Sequence, residues 1–355
     1  MKIRAFITHK KAEHFTDCQD RLSVNKNTQS IALSDGMGST WQQKIWANLL
    51  VEKFTENEEW LPSKETIKEL SIVWRKKVEE FIKNLEEKED PTLQSLIYRN
   101  KRNLAEGKSA GATFVGLRLK GNTWKGVVLG DSCLIRWDGE NMKIHTSQES
   151  GAFDNYPDYF DSDARKEGKG TPKPIEITID KNITLFMVSD PFSEFLHERE
   201  KENKHNDYLK RLIDIRSHEE FESLVSEWRS EGMHNDDTTL IVVSPEENLK
   251  EPKFELGTID NLYHLIEGKK EPTEQELSND EISEEIAKKT LETSKKKTKE
   301  KEKEISGKRG KVMDRLRKIF HIFKKEERVQ KILDDILISS IKEVLKDYNI
   351  TRKEQ

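Results

Sequence analysis

Five aspartates stand at the edges of apolar runs: Asp20 before one, Asp35, Asp131 and Asp190 after three, and Asp236 before the last. Carboxylates repel one another and are costly to desolvate, so a group of them at strand ends is held together mainly by a cation. The most informative stretch is Ser30-Ile31-Ala32-Leu33-Ser34-Asp35-Gly36-Met37-Gly38-Ser39. It reads as the end of a buried strand, then a carboxylate, then glycines that let the backbone come close to a ligand. A hard divalent cation takes such a set: carboxylate oxygens, a bare peptide carbonyl and open water positions. Taken singly, Asp-Gly is an ordinary turn and Asp131 an ordinary turn cap. The recurrence at several strand edges gives the pattern its chemistry. Two cations about 3.5–4 Å apart would clamp a phosphoryl group and activate a water between them.

The elements that must carry these groups follow from periodicity. Met1 to Thr8 reads as a first strand and Ser30 to Leu33 as a second, which delivers Asp35. Helical spacing covers Trp41 to Phe54, then a run whose stripe is Ile67, Leu70, Val73, Trp74, Val78, Phe81, Ile82 and Leu85, then Leu93 to Leu104. The period then becomes two. Strands are expected at Ala112–Leu119, Trp124–Leu129, Cys133–Trp137, Ile175–Ile179 and Ile183–Val188, with a final one at Leu240–Val243. Residues 148–174 read as a long surface loop and Phe195 to Trp228 as mostly helical. Trp41, Trp46 and Trp74 fall at core or half-core positions of their helices. Strands, then helices, then strands imply an α+β class, a four-layer α/β/β/α sandwich of two antiparallel sheets flanked by helices.

The 355-residue chain is 36% charged and only 33% hydrophobic, so part of it lies outside a core. A phosphate-chemistry domain is expected over residues 1–250, a charged linker over 251–311 and an amphipathic helical tail over 312–355. The tail's apolar stripes are expected to bind a partner or to self-associate. Its basic flank, Arg315 to Lys325, reads as a solvated or partner-bound face rather than a membrane anchor. The net charge of −5 argues against a nucleic-acid partner. Cys18 and Cys133 lack metal-type spacing and read as reduced thiols. The N-terminus lacks the apolar run of a signal peptide and no segment is long and apolar enough to span a membrane, which points to the cytoplasm.

The chemistry-bearing pieces, in order, are Cys18-Gln19-Asp20-Arg21, Ser34-Asp35-Gly36-Met37-Gly38, Ser109-Ala110-Gly111-Ala112-Thr113, Gly130-Asp131-Ser132, Val188-Ser189-Asp190 and Asp236-Asp237-Thr238-Thr239. This ordered set resembles the metal-dependent protein phosphatases, the type 2C serine/threonine phosphatases, and looks most like their bacterial branch. The resemblance implies that Asp35 bridges two metals and that the Gly36 carbonyl ligates one. Asp190 and Asp236 would hold the other, Asp20 would act through a metal-held water, and Asp131 with Asp190 would hold a looser third ion. Mn²⁺ and Mg²⁺ satisfy such an oxygen set equally well. The implied reaction is hydrolysis of phosphoserine or phosphothreonine on a phosphoprotein, reversing a kinase. The other implied role is a catalytically weak scaffold that binds a phosphoprotein or kinase.

The chain departs from the family pattern at several positions. Gln19 stands where many members have Glu, Met37 replaces a histidine of the animal members, and Pro191 replaces a glycine. The arginine that often meets the substrate phosphate is missing, which leaves His14 and Lys11, with His9 and Lys10 beside them, as the donors able to replace it.

Overall fold

The structure is a computed structural model that describes residues 1–148, 157–166, 168–245 and 253–259. Its contacts divide into two units, one built on Met1–Asn84 and Arg99–Glu271 and a second that includes Leu85–Tyr98.

In chain order, β1 (Lys2–Thr8), β2 (Arg21–Asn25) and β3 (Ser30–Ser34) precede α1 (Gln43–Glu56), α2 (Lys64–Glu87) and α3 (Gln94–Ala105). The strands β4 (Gly111–Ala112), β5 (Phe114–Lys120), β6 (Thr123–Leu129), β7 (Cys133–Trp137), β8 (Met142–His145), β9 (Phe160–Asp161), β10 (Lys173–Thr178) and β11 (Thr184–Val188) follow. Then come α4 (Asp190–Lys201), α5 (His205–Asp214), α6 (His218–Ser230), β12 (Thr238–Ser244) and β13 (Glu255–Ile259). One sheet runs β13-β1-β12-β11-β7-β8 and another β10-β6-β5-β3-β2, with β4 and β9 as a separate pair. The pairings are antiparallel except that of β1 with β13, which is parallel.

Alternation along the strands builds two faces per sheet. Ile3, Ala5 and Ile7 of β1 meet Ile31, Leu33, Val115 and Leu117 in a core between the sheets. On the other side of the first sheet, Phe6, Phe186, Val188 and Val242 pack against Phe195, Leu212, Phe221 and Trp228 of the helices α4–α6. On the far side of the second, Ala32, Phe114 and Leu129 lie under Trp46 and Phe54 of α1 and Leu70, Trp74, Val78 and Ile82 of α2. The fourfold spacing of that last set is one stripe of a helix. The result is the expected α+β sandwich of antiparallel sheets flanked by helices.

The structure departs from the sequence pattern in particular places. Residues 148–174 are not simply a surface loop. Phe160 and Asp161 are buried and pair with Ala112 and Gly111, and the Trp46 indole donates to the Phe160 carbonyl at 2.8 Å. Val73, placed in the buried stripe of α2, is 42% exposed. The helical run after residue 190 is three helices. β13 lies in the stretch assigned to the start of the linker and extends the first sheet. The tail over 312–355 lies outside the described residues. In the second unit the described residues are the last turn of α2, a turn at Pro91–Leu93 and the start of α3. The turn is capped where Asp90 Oδ1 accepts the Thr92 amide at 2.8 Å.

Candidate active site

Asp35 follows the last residue of β3, and the neighbouring strand pins it there. The Thr113 amide donates to the Asp35 carbonyl at 2.9 Å, and the Asp35 amide donates to Thr113 Oγ1 at 3.2 Å. Ser34 Oγ donates to the Thr113 carbonyl at 2.6 Å, and Thr113 Oγ1 shares a 2.7 Å hydrogen bond with Ser132 Oγ. Gly36 has no room for a side chain, since a Cβ there would stand 3.1 Å from the Gln19 carbonyl oxygen and 2.9 Å from Gln43 Cγ. Met37 Sδ likewise fills the space where a Cβ on Gly111 would be, at 2.8 Å.

Asp131 is placed by a left-handed glycine. Gly130 has φ +103°, and a Cβ on it would meet Thr113 Cβ and the Asp158 carbonyl oxygen at 2.7 Å. Asp190 is the first residue of α4, where the free amides of a helix N-terminus favour a negative charge. Pro191 is compatible with this, because the first turn has no partner for the amide hydrogen that proline lacks. Arg229 of α6 holds the loop before β12, donating to the Asp236 carbonyl at 2.6 Å and to Thr238 Oγ1 at 3.1 Å.

Asp35, Gly36, Asp131, Asp190 and Asp236 line one cavity of about 350 Å³, together with Lys10, Gln19, Met37, Glu194 and His234. Asp20 is fully buried behind it. Its Oδ2 accepts from Thr239 Oγ1 at 2.7 Å, while Oδ1 meets no hydrogen-bond donor among the described residues. Asp237 is also buried and accepts the Gln19 amide at 2.6 Å and the Lys10 amide at 3.0 Å. Lys10 Nζ reaches Asp236 Oδ1 at 2.7 Å. Lys11 and His14 do not line the cavity: the Lys11 amide bonds Asn235 Oδ1 at 2.9 Å, and His14 Nδ1 is engaged with Thr16 Oγ1 at 2.9 Å.

The electrostatics are those of crowded acids. Burial first, then the charge of Asp237, pushes the Asp20 carboxyl up to about 7. Burial and then Asp20, Asp190, Asp131 and Asp236 raise Asp35 well above the carboxylate range. Burial and then Asp131, Asp20 and Asp236 do the same to Asp190. As they stand, no three Asp, Glu, His or Cys side chains converge tightly enough among the described residues to grip one ion. The carboxylates ring the cavity wall instead. The donor set nevertheless fits hard divalent cations: it is all oxygen, it is strongly acidic, and one buried carboxylate oxygen lacks a donor. Positive charge in the cavity would relieve a repulsion that, among the described lining residues, Lys10 offsets in part.

Sequence reasoning missed Glu194 and His234. Glu194 lies four residues after Asp190, on the same face of a helix, and that spacing was a readable signal once α4 is taken to start at Asp190.

A family model described as protein phosphatase 2C matches residues 10–242. The chain belongs to the protein phosphatase 2C family. Among solved structures, this phosphatase 2C chain is similar to the serine/threonine phosphatase Stp1 from Staphylococcus aureus, with 13% identity, coverage of 69% of this chain and 94% of that one, and a TM-score of 0.46. It is also similar to PppA of Pseudomonas aeruginosa, a regulatory component of a secretion system, with 15% identity, coverage of 68% and 96%, and a TM-score of 0.46. The catalytic domain of the phosphatase PstP, in complex with two manganese ions, matches with 15% identity, coverage of 68% and 96%, and a TM-score of 0.41. No curated protein matches the chain. No helix among the described residues is long and apolar enough to cross a membrane.

Proposed function

We propose that this phosphatase 2C chain hydrolyses phosphoserine and phosphothreonine on proteins, with divalent cations held by Asp35, the Gly36 carbonyl, Asp190 and Asp236, and a looser ion by Asp131 with Asp190. The observation that carries the reading is the convergence of carboxylates from the ends of β3, β6 and β11 and the start of β12 on one cavity, beside a single lysine. Bound Mn²⁺ or Mg²⁺ supplies charge neutralisation at the phosphoryl oxygens and acidity for water.

The chain's own residues have distinct tasks in this reading. Asp35 is fixed through its backbone by Thr113 at a place where the residue lines the cavity. Asp20 carries the proton affinity of a group poised near neutrality and is oriented by Thr239. Lys10 lines the cavity and meets the substrate phosphate, a task for which the sequence offered Lys11 and His14 with His9 and Lys10 beside them. Glu194 and His234 line the same cavity.

The test is phosphate release from phosphoserine and phosphothreonine peptides by the full chain. Turnover with Mn²⁺ or Mg²⁺ and silence in EDTA are expected. A folded chain that binds phosphopeptide without turning it over under any divalent metal would replace this reading with the scaffold role.

A further inference from the structure

A second cavity, of about 420 Å³, opens beside β8 and the end of β10. β7 and β8 pair with Leu134 opposite His145 and Arg136 opposite Lys143. Opposed residues, and alternate residues along a strand, share a face of the sheet. Arg136, Lys143 and His145 therefore project on the side where Leu134 joins the core between the sheets. At this edge that core runs out, and the three basic groups face Ile177, Ile179 and Ile183 across the cavity.

The acids nearby are already engaged. Glu176 pairs with Lys125 at 3.1 Å. Asp180 Oδ1 accepts the Asn182 amide at 2.8 Å, and Asp138 Oδ1 accepts the Asn141 amide at 2.8 Å. Asp138 is 4.0 Å from Arg136, the outer limit of an ion pair. Lys143 has no carboxylate partner among the described residues, and His145 Nε2 is buried with no hydrogen-bond partner among them. A buried nitrogen without a partner costs free energy that a bound acceptor would recover.

We propose that this cavity binds a small organic dianion of the phosphomonoester or phosphonate class. Its charged end would sit among Arg136, Lys143 and His145, and its apolar part against Ile177, Ile179 and Ile183. The volume suits a small ligand. The site is separate from the carboxylate cavity. Ile183 and Asp190 flank the two ends of β11, and a seven-residue extended path spans roughly 23 Å.

Without a ligand, burial first, and then Lys143 and Arg136, hold the His145 imidazole below its ordinary pKa. Of the two acids that line the cavity on this side, Asp180 follows the end of β10, while Glu176 alternates with the buried Ile175 and Ile177 and turns its carboxylate to Lys125 on the other face. A dianion beside the ring would reverse the balance.

The test is titration of the full chain with benzylphosphonate, which resists hydrolysis, followed by NMR at the His145 ring. Lys143→Ala, Arg136→Gln and Asp35→Asn proteins are titrated alongside. The expected result is saturable binding, with the His145 pKa rising by about one unit. Lys143→Ala and Arg136→Gln should each weaken binding at least ~fivefold, as loss of a charge-assisted contact does. Asp35→Asn should leave binding as it was, and Lys143→Ala should leave phosphopeptide turnover as it was. A His145 spectrum unmoved at about 10 mM ligand, a concentration above any useful affinity, would overturn the proposal. So would binding that survives both basic-residue substitutions unchanged.

Discussion

Lys10 Nζ stands 2.7 Å from Asp236 Oδ1, and the amide of the same lysine donates to Asp237 Oδ1 at 3.0 Å. One residue of the loop after β1 thus ties itself to both acids that precede β12 and sets a cation on the cavity wall. In the proposed reaction this ammonium meets the phosphate. Lys10→Gln should raise KM for a phosphopeptide by ~3–10-fold with a smaller change in kcat, the pattern expected when a binding contact is lost. Steady-state kinetics separates the two parameters. A fall in kcat at constant KM would assign the ammonium to the chemical step instead.

Asp190 and Asp236 approach the cavity from different elements, a helix N-terminus and a loop held by Arg229. If both hold cations, Asp190→Ala and Asp236→Ala should each raise the metal concentration for half-maximal activity at least ~10-fold. Calorimetric titration with Mn²⁺ should show the same weakening without substrate. Unchanged metal affinity in both variants would remove these acids from the ligand set.

The buried carboxyl of Asp20 gives a signed pH dependence. Its pKa rises from 3.8 to about 7 in the folded protein. The folded state therefore holds this proton more tightly than the unfolded state, and the associated stability is present below 3.8 and lost as pH rises through about 7. In EDTA, Asp20→Asn lacks this loss, so its melting temperature should gain on the wild type steadily from about pH 4 to pH 7. Scanning calorimetry across that range is the check. A constant difference between the two proteins would mean that Asp20 titrates normally.

Thr113 touches no substrate in the proposed reading, yet its hydroxyl joins the Asp35 amide to Ser132. Thr113→Val should cost about 1 kcal/mol of stability, the usual loss for a buried hydrogen bond. It should also lower kcat more than it raises KM, while Thr113→Ser restores both. Equal losses in the valine and serine variants would point to the methyl group and its packing rather than to the hydroxyl.

Several parts of this molecule were legible in the sequence for a local reason. Ile31-Ala32-Leu33 and Leu185-Phe186-Met187-Val188 are apolar runs that stop at an acid, so strand and carboxylate were readable together. α2 was legible because Leu70, Trp74, Val78 and Ile82 recur every fourth residue. What was missed depends on distant partners. β9 is two residues long and exists by pairing with Gly111–Ala112, so no local pattern announces it. β8 carries Lys143 and His145 on its inward side, which hides the apolar alternation of a strand. β13 contributes Leu256 and Ile259 among polar residues and is defined by its pairing with β1. The loop after β1 holds four cationic or donor side chains within six residues. Its composition does not say which one turns inward, and the bond from the Lys10 amide to Asp237 makes that choice.

The most direct test of the metal-centred reading is phosphopeptide turnover by Asp35→Asn, measured beside its circular dichroism and thermal melt. Asp35 is the acid whose neighbours include Asp20, Asp131, Asp190 and Asp236. Removing its charge should lower kcat/KM at least ~100-fold, as loss of a central electrostatic element does. Loss of one repelling charge should meanwhile leave the metal-free fold intact or more stable. Near wild-type turnover in a folded Asp35→Asn protein would contradict the assignment of this cavity as the catalytic centre.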